Sequence, residues 1–494
     1  MTFDVVASTE RFHPGSSDLS LGKIYMFLWA LLFSSSMKVK PLSDVLIKDG
    51  TIVTMDPKRR ILKDGYVAIE KGRIMGLGRS GKIRAEYKSA EEVIDASGKA
   101  VLPGLISGHT HAALTLLRGL TDGMRLDELT RKWLWPFESA LRPEDSYVAA
   151  QLACLEMIKA GITCFADMHF NMEDVAKAVQ DSGLRASLSV AIMDQGDVPL
   201  TSEEAVRQNE DLVNKWHQKA GGRITCMFGP CTVRTASAEL FLKTRRLASR
   251  HKVGIHLHLS EVEEDVKFTQ DHFNKRPVKY LNGLGVLGPD VLAAHCVWLN
   301  DAEMRILKRA KVNVVHNPTS NMKSSAGIAR VAEMIALGIN VGLGVDAAVC
   351  NNTLDMFWEM RVASLIQGIS QMHPGQLSPE KALEMATMGN AKALGIENEV
   401  GSIEVGKKAD LILVELKQPH LTPLVERPKS NLLSHLVYAI SGRDVDTTIA
   451  DGQVVMRHRN VLTLDEAKVL RKAEETLYKV LDRSGIATRT RKSG

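Results

Sequence analysis

Short apolar runs of strand length recur between residues 101 and 346, and several of them close on a histidine or an aspartate. The first is VLPGLISGHTH, which begins at Val101. It is followed by ITCFAD (162–167), RASLSVAIMD (185–194), ITCMFG (224–229), GIHLHL (254–259), VLAAH (291–295), VNVVH (312–316) and NVGLGVD (340–346). Helical stretches separate them, and strands alternating with helices predict a parallel sheet covered on its outer face. Eight such units over this length predict an α/β fold of the (β/α)8, or TIM-barrel, kind. The chemistry of such barrels gathers at the C-terminal ends of the strands, where the polar residues of these runs lie.

The ends of the chain read differently. Between residues 42 and 101, DVLIKDGTIVTMD, GYVAIEKGRIMGLG and EVIDASGKAVLPG alternate strands with Asp-Gly, Lys-Gly and Ser-Gly turns. Similar pieces return as GSIEVGKKADLILVE (401–415) and TTIADGQVVM (447–456). We expect a small β-sandwich made of residues 37–100 and 401–460, with the barrel, 101–400, inserted between its halves. Residues 461–494 carry Leu464, Ala467, Leu470, Ala473, Leu477 and Leu481 at helical spacing, which predicts a C-terminal amphipathic helix and tail. Residues 1–36 fit poorly with the rest. Their run IYMFLWALLF is the length of a signal core and short for a bilayer, but acidic residues precede it and no cleavage pattern follows. The segment reads as an upstream start or a dispensable extension, with a signal or anchor as the second reading.

Composition narrows the function classes. A net charge of +5, with no basic cluster interleaved with aromatics, gives no nucleic-acid footprint, and no stable membrane partner is expected. The six cysteines are scattered without a CxxC, as expected for reduced thiols in the cytoplasm.

The strand ends carry the chemistry. His109 and His111 are separated by one residue, so both imidazoles face the same way. His258 ends the fifth barrel strand and Asp346 the eighth. On its own Asp346 reads as a helix N-cap; beside three histidines it completes a set suited to one divalent metal, zinc before iron(II) or manganese. Glu261, three residues past His258, is either part of a solvated acidic face or a proton relay. His295 follows an apolar strand, where a histidine without a partner would be costly. His316 and Asn317 end the seventh strand and could line a pocket. His169 is a weaker candidate of the same kind, and His256 reads as structural.

Taken in order, PGLISGHTHAALTLLRGL, HLHLSE, AAHCVWL, HNPTSNMKSSAGI, GLGVDAAVCNN and GSIEVGKKADLILVE resemble the amidohydrolase superfamily, in the branch that deaminates or dechlorinates aromatic N-heterocycles. The similarity covers roughly residues 42–456. It is strongest toward 5'-methylthioadenosine/S-adenosylhomocysteine deaminases and nearly as strong toward s-triazine hydrolases of the atrazine chlorohydrolase type. The resemblance implies metal ligands His109, His111, His258 and Asp346. It implies that Glu261 protonates the ring nitrogen, that His295 orients the attacking hydroxide, and that Asp346 passes the water proton to the leaving amine. Glu138 in WPFE matches a glutamate that grips ribose hydroxyls, and a homodimer or homotetramer is implied as well.

Some positions depart from that pattern. Leu129 stands where the deaminases carry a tryptophan, with Trp133 and Trp135 nearby. Cys231 stands where they carry a histidine, and it is a candidate substrate contact. Val190 replaces an arginine that reads the homocysteine carboxylate, and residues 194–202 contain no arginine. Arg234 is the candidate substitute. Three functions follow. The first is hydrolytic deamination of an adenosine-type nucleoside, 5'-methylthioadenosine before S-adenosylhomocysteine. The second is hydrolysis of another heterocycle, such as an s-triazine or free purine. The third, an inactive barrel used for binding, is disfavoured because the catalytic and metal positions are intact.

Overall fold

A computed structural model describes residues 43–196 and 199–486. The expectations for residues 1–36 lie outside them. The first five strands are β1 (Val45–Val53), β2 (Ile61–Glu70), β3 (Arg73–Arg79), β4 (Glu92–Asp95) and β5 (Lys99–Pro103). The barrel strands follow: β6 (Leu105–Thr110), β7 (Ile162–His169), β8 (Arg185–Ile192), β9 (Ile224–Pro230), β10 (Gly254–Leu259), β11 (Val291–His295), β12 (Asn313–His316) and β13 (Val341–Leu343). The chain then returns to the first sheet with β14 (Leu411–Glu415), β15 (Val445–Ala450), β16 (Gln453–Arg457) and β17 (Asn460–Val461).

The strands of the two ends form one continuous mixed sheet of nine, ordered β17-β16-β15-β14-β5-β1-β2-β3 with β4 beside β1. The halves meet where β14 runs antiparallel to β5, Leu411 opposite Pro103 and Glu415 opposite Lys99. Ile47, Val67, Ile69, Leu411, Leu413 and Ile449 pack into one core, so residues far apart in sequence bury each other's apolar faces. The sequence-based boundary at residue 101 shifts accordingly, because Val101 to Pro103 belong to this sheet and the barrel begins at Leu105. Proline lacks an N–H, and at Gly104 the chain crosses from one sheet to the other. A Cβ at Gly104 would lie 2.1 Å from Thr163 Oγ1, so only glycine fits there.

The eight barrel strands lie side by side in chain order from β6 to β13, all parallel. Closure between the first and last comes from Thr110 and Asp346 rather than from a long ladder. Asp346 N donates to His109 O at 3.0 Å, and Thr110 Oγ1 donates to Asp346 O at 2.8 Å. Gly344 permits the approach, since a Cβ there would sit 2.9 Å from His109 O and 2.3 Å from Asn317 Oδ1. The barrel therefore closes at the end where the predicted site residues stand. Arg185 of β8 ties barrel to terminal sheet through a two-pronged contact with Asp410, 3.1 Å at each prong and buried.

The C-terminal helix spans Glu466–Ser484, with the Asp465 side chain capping it at Lys468 N. Its buried stripe is Val469, Ala473, Thr476 and Val480, shifted around the helix from the expected one, and Leu470 is exposed. Ala473 and Val480 pack with Leu117, Leu129 and Phe137, so this helix braces the segment that roofs the site. Among the described residues no helix is long and apolar enough to cross a membrane. The six cysteines are unpaired.

Candidate active site

His109 and His111 leave β6 on the same side and meet His258 of β10 and Asp346 beyond β13. His258 Nε2 lies 3.2 Å from His111 Nε2. Asp346 Oδ1 lies 3.7 Å from His109 Nε2 and 3.6 Å from His111 Nε2. Four donors at bond lengths of ~2.0–2.2 Å around a tetrahedral ion stand roughly 3.3–3.6 Å apart, close to the spacings here.

The other side of each ring supports the same fit. His111 Nδ1 faces Met168 O at 2.5 Å and His258 Nδ1 faces Cys231 O at 3.2 Å. Carbonyls only accept, so both Nδ1 atoms carry the proton and both Nε2 lone pairs are bare. His109 Nδ1 meets His256 Nε2 at 2.8 Å, and His256 Nδ1 meets Ser189 Oγ at 3.4 Å, which in turn donates to Asp167 O at 3.0 Å. Read as donors from His109 outward, this chain also leaves His109 Nε2 bare, and that buried atom has no hydrogen-bond partner in the protein. Burial first, then the neighbouring imidazoles, holds His109 and His258 well below the ordinary histidine range, which keeps both neutral as metal binding requires. The donor set thus fits a divalent metal ion.

Asp346 is held on both oxygens, Oδ1 by Ala347 N at 2.7 Å and Oδ2 by Ser320 Oγ at 2.5 Å. Its backbone lies in the left-handed region at φ 56°, as does that of His295 at φ 72°. Such strain persists only where surrounding contacts fix the residue, and here it aims both side chains at the histidine cluster. His295 Nδ1 faces Asn321 Oδ1 at 2.9 Å and Glu261 Oε1 at 3.7 Å, with Nε2 3.9 Å from Asp346 Oδ2. Burial alone would lower the His295 pKa, but the carboxylates of Glu261 and Asp346 raise it above the ordinary value. Burial drives Glu261 up to about 7, with His295 opposing and Asp346 adding to the shift.

A cavity of about 290 Å³ opens over this cluster. His111, Glu138, Cys231, His258, Glu261, His295 and Asp346 line it, and so does His169, whose Nε2 meets Glu138 Oε1 at 3.1 Å. Leu126, Leu134, Trp135, Met168, Phe170 and Met193 make much of the remaining wall apolar. Burial pushes the Cys231 thiol up to about 12, so it faces the cavity as a neutral group. His316 and Asn317 are not among the lining residues; they are buried, and Asn317 Nδ2 lies 3.4 Å from His295 Nδ1. Arg234 lines the cavity with Nη1 bonded to Asp127 and Nε bonded to Asp265.

Sequence reasoning did not single out Ser320, Asn321 and Asp265. The first two lie inside the quoted run HNPTSN, yet no spacing rule assigns a serine to a carboxylate 26 residues away. His256 reads from the sequence as structural; in the fold its Nε2 meets His109 Nδ1 at 2.8 Å.

The amidohydrolase family profile matches residues 100–455. A 5'-deoxyadenosine deaminase of Methanosarcina acetivorans is 45% identical over 447 residues, 90% of this chain and 100% of the relative. A 5-methylthioadenosine/S-adenosylhomocysteine deaminase of Pelotomaculum thermopropionicum is 42% identical over 442 residues, again 90% and 100%. Among solved structures, an adenosine deaminase from Xanthomonas campestris with bound zinc superposes with a TM-score of 0.85 at 29% identity, covering 89% of this chain and 98% of that one. Atrazine chlorohydrolase from Arthrobacter aurescens, complexed with zinc, shares the fold at a TM-score of 0.79 and 23% identity, with coverages of 88% and 100%. With that profile spanning the barrel and the strands that flank it, and relatives this similar along 90% of its length, the chain belongs to the amidohydrolase family and is a hydrolase of carbon–nitrogen bonds.

Proposed function

We propose that the chain hydrolytically deaminates adenosine-type nucleosides with a compact, apolar 5' substituent, such as 5'-methylthioadenosine or 5'-deoxyadenosine. S-Adenosylhomocysteine is the poorer substrate in this reading. The names of the relatives support the nucleoside. The observation that carries the 5' preference is Arg234, one of two arginines lining the cavity with Arg131: its guanidinium already binds two carboxylates, at 2.7 Å and 2.9 Å. A homocysteine carboxylate would approach a guanidinium whose charge two aspartates already balance, and would gain less from it than from an unpaired arginine.

His109, His111, His258 and Asp346 would hold the divalent ion, with zinc the first choice. When bound, such an ion lowers the pKa of a water to about 7 and so supplies a nucleophile at neutral pH. Glu261, protonated near neutral pH because it is buried, donates to the ring nitrogen that gains charge during attack. His295, fixed by Asn321, orients the attacking water. Asp346 Oδ2 accepts the water proton and hands it to the departing amine. Glu138, held by His169, takes the ribose hydroxyls, and Cys231 borders the base as a neutral wall. The same reading has the enzyme acting as a homodimer or homotetramer in the cytoplasm, and light scattering of the purified chain tests the first.

The test is ammonia release by the zinc-loaded chain from 5'-methylthioadenosine, 5'-deoxyadenosine, S-adenosylhomocysteine and adenosine. Faster release from the two nucleosides with apolar 5' groups is expected. Equal or faster release from S-adenosylhomocysteine overturns the 5' preference. Silence on all four, in protein that holds one metal, overturns the nucleoside and favours another heterocycle such as an s-triazine or free purine.

A further inference from the structure

The roof of the cavity is built from the stretch between β6 and β7, which contributes Leu126, Asp127, Thr130, Leu134, Trp135 and Glu138. Leu126–Ala140 is one continuous helical run, α-helical at Leu126–Leu129 and Trp135–Ala140 with the π-helical turn Thr130–Leu134 between them. Its apolar side is packed through Leu129 and Phe137, and the N-terminal end of the run, where Asp127 stands, is held by a polar tie as well.

One tie comes from Arg234, in the loop after β9. Its Nη1 donates to Asp127 Oδ1 at 2.9 Å, and its Nε donates to Asp265 Oδ1 at 2.7 Å. The second oxygen of Asp265 accepts Glu261 N at 2.9 Å and Val262 N at 3.3 Å. A single guanidinium therefore joins the roof to the turn on which Glu261 stands. We propose that Arg234 is a positioning residue that holds the roof closed over the bound nucleoside in register with Glu261, with Asp127 as the latch that releases to admit substrate. The proposal rests on the deaminase reading above.

The two halves of the tie differ in a way that sets which one opens. The Asp265 side chain is 4% exposed and is also committed to two backbone N–H groups, whereas that of Asp127 is 42% exposed. A buried, multiply bonded carboxylate holds its partner, while a half-exposed pair is weak and screened by salt. Arg234 thus stays on the barrel and Asp127 leaves. Arginine suits the task because its rigid fork engages two carboxylates through different nitrogens, which the point charge of lysine does not reproduce. The roof also carries Glu138, so closing the latch brings the predicted ribose contact and the predicted proton donor into place together.

The test compares Asp127→Asn, Arg234→Gln, the double variant and Asp127→Glu in the zinc-loaded enzyme with 5'-methylthioadenosine. Asp127→Asn should raise KM about three- to fivefold while kcat does not fall, and Asp127→Glu should restore most of the loss. Arg234→Gln should raise KM similarly and also lower kcat, because the Glu261 turn loses its neighbour. The double variant should match Arg234→Gln alone, since the two changes remove one tie. A KM in Asp127→Asn within twofold of wild type, or a double variant whose effect is the product of the singles, overturns the proposal. Emission from Trp135, isolated by subtracting the same proteins carrying Trp135→Phe, needs no turnover. A red shift in Asp127→Asn supports the latch, and identical spectra refute it, even where wild-type protein is silent on every nucleoside and the deaminase reading itself has failed.

Discussion

Replacing Ser320 by alanine deletes one hydroxyl whose role the structure makes specific. Its Oγ donates to Asp346 Oδ2 at 2.5 Å, and the two residues are buried at 2% and 4% residual exposure. Oδ1 keeps the Ala347 N–H at 2.7 Å, so the carboxylate loses the partner on one oxygen only. A hydrogen bond to a charged buried group contributes about 1.5–3 kcal/mol, which corresponds to roughly 10–150-fold in an equilibrium or rate. Losing an outer partner of a metal-binding side chain independently costs about 10–100-fold in affinity or activity. The two ranges share about 10–100-fold, whose logarithmic midpoint is about 30-fold. Zinc content after dialysis against graded chelator, measured with kcat/KM for ammonia release, reads both quantities. We expect Ser320→Ala to lose zinc at roughly tenfold lower chelator and to lose about 30-fold in kcat/KM. Zinc retention and kcat/KM both within twofold of wild type would refute the claim that this bond orients Asp346; a lower melting temperature alone would reduce Ser320 to a structural residue.

Three further outcomes follow from the same geometry. Glu261→Gln should keep its zinc, because residue 261 is outside the proposed ligand set, but lose at least ~100-fold in kcat; retained turnover in single-turnover assays would remove Glu261 from the reaction. Burial lifts the Glu359 carboxyl from 4.5 to about 8, although Asn351 Nδ2 donates to it at 2.8 Å and Thr319 N at 3.3 Å. The folded chain then holds a proton that the unfolded chain releases, so this residue's contribution to stability is lost as pH rises from 4.5 to about 8. Glu359→Gln should melt like wild type at acid pH and above it at alkaline pH, and parallel melting curves across that range would contradict the shift. Arg185→Met should cost about 3–5 kcal/mol in urea unfolding, because it strands Asp410 as a buried charge without its guanidinium; a loss under about 1 kcal/mol would mean the pair is no strut between the sheets.

Sequence alone determined the parts of this protein that are written in local periodicity and in short spacings. Each barrel strand was legible because a buried parallel strand is a continuous apolar run, and GIHLHL and VLAAH match their strands to the residue. The histidine pair at 109 and 111 was legible because alternate residues of a strand share a face. Where local signals conflict, the sequence misplaces the boundary: Val101 to Pro103 continue the apolar run into the barrel, but β14, which arrives over three hundred residues later, claims them for the other sheet. Only the tertiary structure decided which polar groups lie behind the site and which face the cavity. His316 reads from its strand end as a cavity residue and is buried, whereas His169 and Arg234, weaker on sequence, line the cavity with their partners already chosen. A hydrogen bond such as Ser320 to Asp346 leaves no local trace, because its geometry is set by barrel closure between distant strands and not by the preferences of either residue.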